Sequence, residues 1–116
     1  MNLYFLVEGI TERKILPKWL NELLPNFTQV DSPSDSTNLN YYLITGGGLP
    51  RLLDEELPEA AANIIAAGNY DYLIIILDAD ELTAAERAIE VQDAFITHNI
   101  HLGHCQTEVI VQNRCL

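Results

Sequence analysis

The chain has 116 residues, 48% of them hydrophobic, and carries 17 acidic against 6 basic side chains for a formal net charge of −11. That length holds one small domain with its own core. The apolar share excludes a disordered chain, and no stretch reaches the ~20 apolar residues of a membrane span. So acidic a surface also disfavours unaided binding to nucleic acid, whose phosphates draw on Lys and Arg.

The first residues, MNLYFLVEG, have neither a basic leader region nor a small-residue cleavage site, so no secretory signal is expected and the cytoplasm is the expected location. Cys105 and Cys115 show no framework spacing, in keeping with a reducing compartment. Leu3 to Val7 is an apolar run of strand length that stops at Glu8 and Gly9. Thr11 is the expected cap of a helix from about Glu12 to Leu24. Its apolar stripe is Ile15, Leu16, Trp19, Leu20, Leu23 and Leu24, with Trp19 assigned to the core, and Pro17 inside it predicts a kink.

Pro25 to Leu39 reads as a polar loop with a short extended piece near Phe27 to Val30. Tyr41 to Thr45 is the second strand and runs into Gly46, Gly47 and Gly48. A helix follows from about Pro50 to Ala67, with Pro58 expected to split it and Gly68-Asn69 to stop it. Leu73 to Leu77 is an unbroken Leu/Ile run, the signature of a strand buried on both faces. Thr83 and Glu86 have capping-box spacing for a helix reaching about Thr97. Asn99 to His104 is a loop, and Glu108 to Val111 is the last strand.

Strands alternating with helices predict an α/β fold: a Rossmann-like three-layer sandwich, with a four-stranded, mainly parallel sheet and helices on both faces. Almost nothing follows the last strand, so residues 1–116 are expected to be one domain, truncated at its C-terminus or half of an assembly.

The third strand stops on Asp78 and Asp80. Alternate residues of an extended chain point the same way, so both carboxylates are expected on one side of the strand end. Ligands of open α/β sheets bind at that end, and paired carboxylates there suit a hard divalent cation. Glu8 ends the first strand; if the two strands are neighbours, the three acids converge. Glu12 lies one helical turn after Glu8, and Gly46, Gly47 and Gly48 would form the adjacent wall, where a substrate backbone could approach. His98, His101, His104 and Cys105 are metal-ligand types, but Gly103 interrupts helical spacing and no zinc site is expected.

Glu8-Gly9 after the first strand and Asp78-Ala79-Asp80 after the third resemble the motifs of a Toprim domain, with the strongest likeness to the overcoming-lysogenization-defect (OLD) nucleases, which tend to carry an acid where Glu12 stands. The resemblance covers about residues 3 to 112. It implies magnesium, or manganese in its place, held by Asp78 and Asp80. It also implies Glu8 as general acid/base or ligand, and Glu12 as ligand of a second ion. The implied function is nuclease-like phosphodiester chemistry on nucleic acid, DNA ahead of RNA.

The chain departs from that family in lacking a Walker A segment and a lysine beyond Lys18. A partner supplying an ATPase or a basic surface is therefore expected, and the bare last strand leaves room for a homodimer. The competing expectation is a non-catalytic Toprim scaffold in a repair, recombination or defence complex. A phosphoacceptor receiver domain is disfavoured, because it would need a lysine after the last strand.

Overall fold

A computed structural model of the protein describes residues 1–112, apart from the side chains of residues 10–13. Five strands form one parallel sheet: β1 (Asn2–Val7), β2 (Thr28–Gln29), β3 (Asn40–Thr45), β4 (Tyr72–Asp78) and β5 (Gln106–Gln112), in the order β2-β3-β1-β4-β5. The expected count of four becomes five because Thr28 and Gln29, in the extended piece near Phe27 to Val30, pair with Asn40 and Tyr41.

Strand periodicity divides the core in two. On one face Tyr4 and Leu6 of β1 meet Leu73, Ile75 and Leu77 of β4; on the other Leu3, Phe5 and Val7 meet Tyr41, Leu43 and Ile76. Every residue of β1 is buried, as a central parallel strand covered on both faces requires.

Helix α1 (Ile10–Leu23) covers the second face through Leu16 and Leu20. Gly9 occupies its N-cap position, so Thr11 lies inside the first turn and is not the cap. The helix runs unbroken through Pro17. Leu16, Leu20 and Leu24 form the inward stripe, which turns Ile15, Trp19 and Leu23 outward; Trp19 is 54% exposed and does not belong to the core.

The first face is covered by α2 (residues 49–67) and α3 (Ala84–Thr97). Pro58 does not split α2. Instead Leu52–Glu56 forms a π-helical turn, in which the Leu57 amide donates to the carbonyl of Leu52. The wide turn accommodates a residue that has no N–H and whose ring crowds the preceding turn. Leu52 and Leu57 remain fully buried. Helix α3 begins with the expected capping box: Thr83 Oγ1 accepts from the Glu86 amide at 3.1 Å, and the Glu86 carboxylate accepts from the Thr83 amide at 3.0 Å.

The end of the sheet opposite the acidic motifs is tied by a buried asparagine. Asn2 Nδ2 donates to the carbonyls of Thr37 and Asn69, and its Oδ1 accepts from the Asn40 amide. Strand β5 is an edge, with Gln106, Glu108 and Ile110 exposed on the α1 side. Among the described residues, no helix is long and apolar enough to cross a membrane.

Candidate functional site

Strands β1 and β4 run side by side in parallel, with Val7 level with Ile76. After β1 the chain moves out to β3, then crosses back over β1 to β4. The crevice between the C-terminal ends of β1 and β4 is therefore the topological switch point of the sheet. Glu8 and Asp78 are the residues on its two sides.

Glu8 is held at both ends. Its amide donates to the carbonyl of Ile76 at 3.0 Å, which extends the ladder one residue beyond β1. Its carboxylate Oε1 accepts from the Asp78 amide at 2.9 Å. A carboxylate receiving a backbone N–H is a charge-assisted hydrogen bond, so Glu8 braces the end of β4 while lying beside the Asp78 side chain. Asp78 is half-buried, and its carboxyl is pushed above the usual carboxylate range. Desolvation is the main cause, the negative charges of Glu8 and Asp80 add to it, and Arg87 opposes it.

Asp80 departs from the expected extended geometry. β4 ends at Asp78, and the Ala79 amide donates to the Gln112 carbonyl at the end of β5. The chain then turns, with Asp80 at φ 53° and the Leu82 amide closing onto the Ala79 carbonyl at 2.9 Å. Aspartate is one of the few L-residues that visit this left-handed region readily. The Asp80 side chain is 65% exposed, and its Oδ2 lies 3.3 Å from Nη2 of Arg87. The alternation expected from an Asp-x-Asp on a strand fails because only the first aspartate is still on the strand.

Arg87 was not legible as a site residue. It is 7% exposed and reaches back from the first turn of α3. Its Nε donates to the Asp78 carbonyl at 3.1 Å, Nη1 to both Glu90 oxygens at 3.2 and 3.1 Å, and Nη2 to Asp80. The sequence signal was one basic residue in the acidic segment from Asp71 to Asp93, four positions after a helix cap.

The glycines stand on the far side of β1 from Asp78. The Gly46 amide donates to the Val7 carbonyl at 2.8 Å. A Cβ on Gly46 would lie 2.6 Å from Cγ and Cδ1 of Leu52, so this glycine admits a core side chain. Gly48, at φ 119° and ψ 156°, occupies backbone space closed to other residues and leads into α2. Gly47 and Gly48 remain exposed or half-exposed at the loop surface. The Thr45 hydroxyl, at the end of β3, is buried with no hydrogen-bond partner among the described residues.

Glu12 falls in the first turn of α1, and its side chain lies outside the described residues, as do Arg114 and Cys115 entirely. His101 Nε2 pairs with Asn99 Oδ1 at 3.0 Å, and Cys105, the residue before β5, is buried.

As a donor set, Glu8, Asp78 and Asp80 offer the hard oxygens that magnesium or manganese takes. Their chemistry fits such an ion better than their placement does. Among the described residues, no group of three or more His, Cys, Asp or Glu is arranged to hold a metal, and the Asp80 carboxylate is engaged with Arg87. No family model matches the chain, and no curated protein or solved structure matches it either.

Proposed function

We propose that this chain is a Toprim-like domain, nearest the OLD nuclease type, which binds magnesium or manganese and acts on phosphodiester bonds of nucleic acid, DNA before RNA. The observation that carries the reading is the meeting of Glu8 and Asp78 across the switch point, where a carboxylate on one parallel strand grips the amide of a carboxylate-bearing residue on the next. Asp78 and Asp80 would hold the cation, with Glu8 as ligand or proton carrier and Glu12 as ligand of a second ion. A bound divalent ion would polarise the phosphate and offset the charge that builds as the bond breaks. Asp78 already resists carrying its charge, which is the condition a bound cation relieves. Gly47 and Gly48 lie on the surface beside this end of the sheet, open to a substrate backbone. With a net charge of −11, engagement of nucleic acid would rely on bound cations or on a partner with a basic surface.

One observation favours the competing scaffold reading: the Asp80 carboxylate is engaged with Arg87 rather than turned toward Asp78. Both readings meet the same experiment. Manganese is titrated calorimetrically into wild type and Asp78→Ala, and linear DNA and RNA are incubated with each protein and manganese. The nuclease reading expects binding and cleavage that both vanish in Asp78→Ala. Binding without cleavage selects the scaffold. No binding at millimolar manganese, or binding that survives Asp78→Ala, removes the site.

A further inference from the structure

We propose that the open edge of β5, with the adjoining side of α3, is a self-association surface. A second copy of this chain lays its own β5 antiparallel along it, with Val109 on the twofold axis, and the two sheets become one. The inference does not depend on the metal reading.

The two edges of the sheet differ. β2 is only two residues long, and a very short strand is one way to protect an edge. β5 has seven residues in unbroken register with β4, and no Pro, Lys or bulge guards it. The Gln106 amide donates to the Asp71 carbonyl, and the Gln112 carbonyl accepts from the Ala79 amide. Alternate residues of a strand serve the same neighbour, so Gln106, Glu108, Ile110 and Gln112 bond β4. The N–H and C=O groups of Thr107, Val109 and Val111 therefore point outward, and among the described residues no strand pairs with them.

This edge is complementary to its own copy. An antiparallel pair centred on Val109 sets Val109 against Val109 and Thr107 against Val111, each pair exchanging both backbone hydrogen bonds. It also sets Glu108 opposite Ile110 and Gln106 opposite Gln112. A pair centred on Glu108 would put like charges face to face, which is destabilising. One centred on Ile110 would carry Thr107 past the end of the other strand, at Gln112.

Charge selects a copy as the occupant. Beside this edge α3 presents Ala88, Gln92 and Phe95, which line an apolar groove with Thr107 and Val109. The acids of the helix are directed elsewhere: Glu86 closes the capping box, while Glu90 and Asp93 border Leu53 and Asp54. Two copies at −11 repel each other over most of their surface, so they associate best where charge is missing. The same lack of acid gives a basic partner little to grip. The twofold axis stands normal to the joined sheet, so both α3 helices lie on one face and the two grooves meet across it.

The test is sedimentation velocity from low micromolar to millimolar chain at physiological salt, with residue-resolved hydrogen exchange at both ends of that range. It compares wild type, Gln92→Glu, Thr107→Pro and Trp19→Ala. Wild type is expected to pass from monomer to dimer as concentration rises. The amides of Thr107, Val109 and Val111 then gain protection, while those of Glu108 and Ile110 are protected throughout. Gln92→Glu places an acid at an exposed position beside each groove. Thr107→Pro removes an outward donor and spares the ladder to β4. Each is expected to weaken the dimer about tenfold or more, because the twofold axis counts every change twice. Trp19→Ala, on the exposed side of α1, is expected to leave dimerisation unchanged. A monomer at every concentration overturns the inference. So does a dimer that Trp19→Ala abolishes and Gln92→Glu does not, or one that leaves the amides of Thr107, Val109 and Val111 unprotected. If Thr107→Pro fails to fold, Gln92→Glu and the exchange pattern decide.

Discussion

Two substitutions separate the bracing role of Glu8 from the ligand role proposed for it. Glu8→Ala deletes the acceptor of the Asp78 amide, a half-buried group at the end of a central strand. A lost hydrogen bond to a charged acceptor costs about 1.5–3 kcal/mol. Glu8→Gln keeps an oxygen at the same position and removes the negative charge that disfavours ionised Asp78. The weaker neutral bond and the relieved repulsion act in opposite directions, so its net cost is expected to stay below ~1 kcal/mol. With an m-value of roughly 1–3 kcal/mol/M for a domain of this size, Glu8→Ala lowers the urea midpoint by ~1 M, while Glu8→Gln leaves it nearly unmoved. On the proposed ligand role both variants lose manganese affinity, because neither a methyl nor a neutral amide replaces a carboxylate ligand. Equal destabilisation by the two would refute the acceptor role, since charge and not geometry would then be what β4 needs. Full manganese binding by Glu8→Gln would refute the ligand role.

Two further outcomes follow from the packing. Gly46→Ala places a methyl 2.6 Å from the fully buried Leu52 and is expected to cost ~1–3 kcal/mol by overpacking, against ~1 kcal/mol of backbone strain for Gly47→Ala, whose Cβ meets nothing nearer than 3.9 Å. Thermal unfolding of both decides it, and a silent Gly46→Ala would mean that Leu52 does not hold α2 against this turn. Burial, with a smaller contribution from Asp71, pushes the Cys105 thiol from 9.0 up to about 11. The unfolded chain therefore loses this proton before the folded one does. Stability on this account is complete below pH 9 and falls as pH rises from 9 to 11, by roughly 2 kcal/mol. In a Cys115→Ser background, an aromatic disulfide reagent at pH 8 should leave the native thiol unreacted and label it in urea. Prompt labelling of the native protein would contradict the burial.

The Leu/Ile run from Leu73 to Leu77 carried its own placement, because only a central parallel strand buries both faces of such a segment. The Thr83–Glu86 capping box and the stop at Gly68 were equally local, being hydrogen bonds between residues three or four apart. The neighbourhood of Glu8 and Asp78 hung on strand order, which the alternation of strands and helices leaves open; the sheet meets that condition by setting β4 beside β1. What sequence could not separate were features that depend on where one element ends against another. Ile15, Trp19 and Leu23 form as good an apolar stripe as Leu16, Leu20 and Leu24, and only the seating of α1 on the sheet chose the second. Asp80 looked like the partner of Asp78, but the turn forced after Ala79 pairs with β5 carried it off the strand to Arg87. Local hydrogen bonding and apolar periodicity are properties of neighbouring residues and can be read along the chain. The partner of Asp80 is decided by a helix that begins after the turn and reaches back to it, so it exists only once the chain has folded.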